Sequence, residues 1–369
     1  MPRTFLKRGV VVVAAVIAAV SLTYAVRTAL NDSADLERRA EEAVMFAKHE
    51  DPYVDEQDMT YPPSSLPVFR ILVPTESSRT RRILWVCLSL AATFAICGGM
   101  VDRWGKHWPP WHQSVFCLMV AGSKPVRAGI ALGQFHVIPV ALLVWAEVLA
   151  HRAVVSGLLV GLALIKPTMA APYVLVMLVR RRWTSVLMAG VVQATLFAAA
   201  SWQIGASPLT LTREWLRNAR AQTVHGTIDV PSVLGRLWPE ATINASVMSF
   251  GLFLAAAILL IVLRKKSSLG LLAISLFAAA VMTYHRHYDM VLLLPAVAYF
   301  MDRGITSNAP IAKASGVAFG MLLMVPSNAR LMGRFENWYD QAFILASYVV
   351  FAGLIVLVVR ERNDISTEG

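Results

Sequence analysis

The sequence predicts an all-α polytopic membrane protein with about 10–12 transmembrane helices, and three observations lead there. Of 369 residues, 57% are hydrophobic and only 15% are charged, whereas a water-soluble domain carries about a quarter charged residues. Apolar runs approaching the ~20 residues of a membrane span recur along the whole chain. Lys and Arg fall in short clusters between these runs, as they do at the loop ends of membrane proteins. The composition excludes a disordered chain and a water-soluble enzyme with a single core. The net charge of +11 is spread over loop ends, so nucleic acid is not an expected partner and the lipid bilayer is. Cys87, Cys97 and Cys117 lie in or beside apolar runs and form neither a CxxC nor a disulfide framework.

Arg3, Lys7 and Arg8 precede the first run, Val10 to Leu30. Its length, and the lack of a small-x-small site before Asn31, favour a retained span over a cleaved signal peptide. Eleven more runs follow, at 83–101, 111–122, 130–149, 152–166, 168–180, 184–203, 246–263, 269–284, 288–301, 310–326 and 342–360. Several are short, so tilted, broken or re-entrant spans are expected among them. With both termini cytoplasmic, Arg180-Arg181-Arg182, Arg264-Lys265-Lys266 and Arg360/Arg362 all fall inside, as the positive-inside rule requires. Counted over all loops, Lys and Arg divide almost evenly, and the short clusters carry the argument. The result is a multi-pass protein of the cell membrane.

No long-period repeat is evident, and residues 1–369 read as a single integral membrane domain with two large extracytoplasmic loops. The first loop, 31–82, opens on a helical stretch from Asp32 to Lys48. Leu36, Ala40, Ala43, Val44 and Ala47 form its apolar stripe. A Pro-rich turn and a second apolar stretch, Leu66 to Val73, follow. The second loop, 204–245, holds an amphipathic stretch with Leu211, Trp215, Leu216 and several arginines, expected to lie flat on the membrane surface. Gly157 and Gly161 make a GxxxG spacing that lets helices approach closely.

The chemistry-bearing residues gather on the outer face of this layout. Asp32 and Asp35 follow the first span; Asp51-Pro52-Tyr53 and Tyr61-Pro62-Pro63 come next. Gly133-Gln134 and His136 open the fourth span, and Lys166-Pro167 separates the fifth from the sixth. His225 lies in the second loop, and His285-Arg286-His287-Tyr288-Asp289 opens the tenth span. Asp35 has the character of a general base; the plainer alternative is a surface carboxylate paired with Arg39 at i+4. Lys166, ending an apolar run, either snorkels or meets an anion. His285, Arg286 and His287 form a cationic cluster suited to a phosphate; without a third ligand at a telling spacing, a metal site is not expected. Gln134 and His136 suit either hydrogen bonds to a sugar or capping of a helix.

These motifs resemble glycosyltransferase family 87, a group of GT-C-type membrane enzymes. The resemblance rests on Asp35, then Asp51-Pro52-Tyr53 and Tyr61-Pro62-Pro63, then Gly133-Gln134. It continues through the Gly-rich helix ending at Lys166-Pro167, then Arg181-Arg182-Trp183, and Tyr288-Asp289 leading to Pro295. It covers roughly residues 8 to 300. Two positions depart from the family pattern: Leu36-Glu37-Arg38-Arg39 where aromatic residues are common, and His136 where Asn is common.

The resemblance implies a GT-C-like fold and transfer of a sugar, mannose or arabinofuranose, from a polyprenyl-phosphate donor. The acceptor is a glycolipid or glycan at the extracytoplasmic face. It casts Asp35 as the base, with Asp32 as the fallback. Lys166, His285, Arg286 and His287 fall on the departing phosphate, and Tyr53, Tyr61, Gln134, His136, His225 and Asp289 on the substrates. No cofactor beyond the donor substrate is implied, and metal dependence stays open. The alternatives are a flippase for a lipid-linked sugar and a non-catalytic subunit of an envelope-assembly complex. A transporter calls for inverted repeats and polar residues near the bilayer midplane, and the sequence shows neither clearly.

Overall fold

The computed structural model describes residues 2–55, 59–73, 77–221, 229–237, 245–283, 285–307 and 336–361, together with four isolated positions between 312 and 323. Every regular element among them is helical. The chain is an all-α membrane protein.

Helix α1 spans Pro2–Asn31 and α2 spans Ala34–Ala47. The first loop adds two short helices, α3 (Pro52–Asp55) and α4 (Ser65–Leu72). Helix α5 runs Ser78–Met100 and continues through a π-helical turn, Val101–Gly105. Next come α6 (Pro110–Gly122), α7 (Lys124–Leu132), α8 (Val137–Val148), α9 (Ala153–Ala163), α10 (Pro167–Val179) and α11 (Trp183–Ile204). The second loop holds α12 (Pro208–Ala221) and α13 (Val230–Leu237). Helices α14 (Ala245–Val262) and α15 (Ser268–Met282) lead into a 3-10 turn, His287–Leu293, then α16 (Leu294–Thr306) and α17 (Glu336–Arg360).

Three described helical stretches are long and apolar enough to cross a bilayer: Lys7–Asn31, Ser78–Gly105 and Trp183–Ile204. Helices α6 and α7 make a fourth candidate, bent by 41°. Six more apolar helices are shorter. Where the sequence reads one run over 130–149, the structure has a break: Gly133 takes a left-handed φ of 81° and ends α7, and α8 starts at Val137. The run at 288–301 begins as a 3-10 turn, His287–Leu293, and Pro295 sits in the first turn of α16. Most of the run at 310–326 lies outside the described residues.

Exposed apolar stripes mark the surfaces that meet lipid. On α14 the stripe is Val247, Phe250, Leu254, Ile258 and Ile261, and on α1 it includes Val12, Val13, Val16 and Val20. Apolar faces this extensive do not persist in water. In contrast, α15 is buried along its whole length from Leu269 to Met282. An apolar helix with no polar face belongs in the centre of a bundle, and α15 carries the chain from there directly to Thr283 and His285. Gly157 and Gly161 earn their spacing. A Cβ on either would come within 2.6 Å of α11, at Ser185 O and Val192 Cβ.

Two polar ends bracket the bundle. At one end, Arg182 grips Glu147 through two bonds, Nη1–Oε2 at 2.7 Å and Nη2–Oε1 at 2.9 Å, and the Tyr173 hydroxyl donates to the same carboxylate. Glu361, after α17, accepts from Tyr299 at 2.7 Å and from the Ser267 amide at 3.0 Å, and pairs with Arg303. The Arg-rich breaks and the end of α17 thus share one end. The opposite end carries the first loop, Gly133, Lys166, the second loop and the 283–293 segment.

Candidate active site

The first loop builds one wall. Leu36, Ala40 and Ala43 of α2 are buried, as the stripe predicts, in a cluster with Phe46, Tyr53, Tyr61, Phe69, Trp85 and Phe135. Val44 and Ala47 are only half-buried. Glu37 pairs with both Arg81 and Arg82, and Arg82 Nη1 donates to Asn31 O at 2.6 Å. These bonds tie the start of α2 to the end of α1 and the start of α5.

Asp35 sits in the first turn of α2, half-buried. The i+4 pair with Arg39 does not form. Arg39 turns inward, bonds Glu42 Oε2 at 2.6 Å, and lies over the Tyr61 ring at 5.0 Å. Among the described residues the Asp35 carboxylate has no ion pair or side-chain hydrogen bond. Asp32 is exposed.

Gly133 sets the position of this turn. A Cβ at Gly133 would stand 2.4 Å from Leu36 Cβ and 2.7 Å from Leu36 N. The glycine is therefore needed twice, for its left-handed backbone and for close approach to the residue beside Asp35. Gly205 provides a control, since it also has a left-handed φ, of 74°, but meets nothing within 4 Å. Gly133→Ala is expected to lower transfer by roughly 10²-fold, the scale of a misplacement near 1 Å. Gly205→Ala is expected to show only backbone strain, about 1–2 kcal/mol. Unfolding temperature and turnover measured on both variants check this; equal behaviour would remove the link from Gly133 to Asp35.

The second wall is a charged cluster. Lys166, at the start of α10, reaches Asp289 Oδ1 at 2.5 Å. Asp289 Oδ2 stands 3.2 Å from His285 Nδ1 and accepts the Arg286 amide at 3.3 Å. His285 Nε2 is 3.1 Å from the Thr283 hydroxyl. The Lys166 ammonium also lies 5.5 Å from the Tyr288 ring centre and 5.9 Å from that of Tyr61. Asp289 and His285 are buried, and Arg286 is exposed.

Tyr61 joins the walls. Its hydroxyl lies 3.5 Å from Gln134 Oε1. Burial holds its phenol well above the usual range; Arg39 opposes this, while Asp289 and Asp35 both add to it. The candidate base and a carboxylate of the charged cluster therefore both act on one phenol.

Three further candidates are turned to protein partners, and two lie outside the described residues. Tyr53 is buried and donates to Tyr61 O at 2.7 Å. His136 is buried as well; Nε2 lies 3.1 Å from Pro125 O and its ring centre lies 5.4 Å from that of Tyr288, the planes tilted by 33°. It stands at the cap position of α8 without capping it. Asp289 is turned to Lys166 and His285, inside the cluster. His225 and the His287 side chain lie outside the described residues.

Helix α12 is tied to the first loop. Trp215 Nε1 donates to Thr60 O at 2.9 Å, and Asn218 Nδ2 to Tyr53 O at 3.1 Å. Leu211 and Trp215 pack into the first-loop cluster, while Leu209 and Leu216 stay exposed. Asp229 was not singled out from the sequence. It is buried just ahead of α13, and Oδ1 accepts the Ser232 amide at 2.9 Å. The Asp-x-Pro-Ser pattern at the start of a helix is the signal that marks it.

No curated protein matches the chain. A family model, that of glycosyltransferase family 87, matches residues 59–295. The match takes in Tyr61, Gln134, Lys166, His285 and Asp289, while Asp35 and Tyr53 precede it. An all-helical apolar bundle with these residues gathered at one end, matched over well over half its length, belongs to glycosyltransferase family 87.

Proposed function

We propose that this glycosyltransferase moves mannose or arabinofuranose from a polyprenyl-phosphate donor to a glycolipid or glycan hydroxyl at the extracytoplasmic membrane face. Asp35 takes the proton of the acceptor hydroxyl as its oxygen attacks the anomeric carbon. The bond from that carbon to the phosphate oxygen breaks, its electrons leave with the phosphate, and the configuration inverts. Lys166 and His285, with Arg286 and His287 beside them, offset the charge on the departing polyprenyl phosphate. A phosphate leaves without much acid assistance, so a single carboxylate suffices, unlike the pair used by glycosidases. Gln134 and Tyr61, whose hydroxyl lies 3.5 Å from Gln134 Oε1, are suited to hold a sugar.

This reading is supported by a carboxylate, Asp35, that has no ion pair or side-chain hydrogen bond among the described residues, and by the Lys166–Asp289–His285 cluster, whose Asp289 acts together with Asp35 on the Tyr61 phenol. All of it lies at one end of the bundle, where a lipid headgroup and a water-soluble acceptor meet. A transporter needs such groups near the midplane.

The test is transfer in nanodiscs, with polyprenyl-phosphate mannose, polyprenyl-phosphate arabinose and nucleotide sugars as separate donors and a membrane-lipid extract as acceptor. The expected result is release of polyprenyl phosphate together with a new glycolipid, from the lipid-linked donors alone. Transfer only from nucleotide sugars would overturn the donor assignment. The orientation is tested by cysteine labelling from outside the cell. Ser207→Cys is expected to react and Lys265→Cys to be protected; the reverse would place the site in the cytoplasm.

A further inference from the structure

A polar side chain sits halfway along a membrane-crossing helix, and the proposed transfer chemistry does not use it. Gln193 is the eleventh of the 22 residues of α11, one of the three described stretches long and apolar enough to span a bilayer. Near the two ends of α11, Trp183 and Trp202 are exposed, and indoles gather at membrane interfaces. A side-chain amide midway between them is costly unless its donor and its acceptor are both used. Gln193 uses both: Nε2 donates to Gly161 O at 2.7 Å, and Oε1 accepts the Ser64 hydroxyl at 2.7 Å.

The two partners lead to the two walls of the site. Gly161 O is among the last carbonyls of α9, which a helix end leaves without intrahelical partners. Lys166 stands five residues further on. Ser64 is fully buried, and Tyr61 stands three residues before it. Pro62 and Pro63 stiffen that link, and Ser65 Oγ closes the turn on Pro62 O at 2.7 Å. Lys166 Nζ lies 5.9 Å from the Tyr61 ring centre, so one amide holds the segments on both sides of this contact. The first loop descends to reach it. His49 Nδ1 lies 2.6 Å from Gln203 O, near the end of α11, and Ser64 meets Gln193 ten residues lower. Along a helix that is about 15 Å, half the thickness of a bilayer core. From the other side, Trp215 of α12 holds Thr60 O.

We propose that Gln193 is a positioning residue: it clamps a re-entrant stretch of the first loop to the end of α9, and so sets the approach of Tyr61 to Lys166. The inference rests on the proposed transfer reading for its effect on turnover, and not for the contact itself. Leu at this position keeps the bulk and offers neither bond, leaving Gly161 O and the Ser64 hydroxyl without their partner in apolar surroundings.

The experiment is solid-state NMR of the full chain in nanodiscs without substrate, with side-chain 15N in lysine and ring 13C in tyrosine. Lys166 Nζ also lies 5.5 Å from the Tyr288 ring centre. Tyr288→Phe is therefore the background, and the Tyr61 contact is identified by its loss in Tyr61→Phe. The background protein is expected to show the contact and Gln193→Leu to lose it. With Tyr288 restored, Gln193→Leu is expected to lower kcat about 10–100-fold. Ser64→Ala removes one of the two bonds and almost no bulk; it is expected to weaken the contact, and it carries the test if Gln193→Leu does not fold. Gln203→Leu is the control. It removes an amide that donates to Phe46 O at 3.3 Å, nearer the end of the same helix, and is expected to leave contact and turnover unchanged. A contact at full strength in folded Gln193→Leu or in Ser64→Ala, an equal loss in Gln203→Leu, or an unchanged kcat where the contact is lost would each overturn the proposal. Loss of the contact in Gln193→Leu, when the wild type is inactive with every lipid-linked donor, would unseat the transfer reading alone.

Discussion

Asp35→Asn is expected to fold as the wild type does and to lose transfer by about 10²–10⁴-fold, the range spanned by general-base catalysis. The local structure separates the two effects. Among the described residues Asp35 holds no partner, so amidation breaks no ion pair. The neighbours that fix α2 are untouched: Glu37 with Arg81 and Arg82, Leu36 against Gly133, and Arg39 with Glu42. The change in stability should stay within about 0.5 kcal/mol, as for a surface substitution. Removing a proton acceptor leaves donor binding intact, so the fall should appear in kcat with KM for the donor little changed. Release of polyprenyl phosphate under single-turnover conditions checks it. Asp32→Asn, in the break between α1 and α2 and exposed, is the companion variant. Full activity in Asp35→Asn with loss in Asp32→Asn would move the base to Asp32.

What the sequence revealed, and what it hid, follows from the range of the interactions involved. The burial of Leu36, Ala40 and Ala43 was legible because helical periodicity is local. The GxxxG contact was legible for the same reason. The conversion of Arg39 from a partner of Asp35 into a buried cation over Tyr61 was not, because it depends on Met59, Tyr61 and Phe69 folding back across the helix. Amphipathicity marked α12 correctly but left its partner open. An apolar stripe fits a bilayer surface as well as it fits another loop, and here Thr60 and Tyr53 offer backbone carbonyls that a bilayer lacks. The sequence placed Tyr53, His136 and Asp289 on the substrates; the structure shows their side chains buried and turned to protein partners. Sequence spacing does not distinguish a residue that touches substrate from one that holds such a residue in place.

Lys166 and Asp289 allow that distinction to be made by experiment. The two side chains are 12% and 4% exposed and 2.5 Å apart. Lys166→Met alone leaves the Asp289 carboxylate buried without its main counter-charge, and removing one partner of a buried pair costs about 3–5 kcal/mol. A large drop in unfolding temperature and loss of transfer are both expected, and neither alone shows a role in chemistry. The double variant Lys166→Met/Asp289→Asn removes both charges while keeping side-chain size, and Asn still offers an oxygen to the Arg286 amide. Replacing a whole buried pair by neutral groups is close to neutral for stability, so most of the lost stability should return. If Lys166 offsets the charge of the departing phosphate, transfer should remain at least about 10²-fold down in the stable double variant. Recovery of activity along with stability would make the pair a structural clasp and leave the phosphate to His285 and Arg286. Persistent loss, in a protein that unfolds as the wild type does, would put the Lys166 ammonium in the reaction.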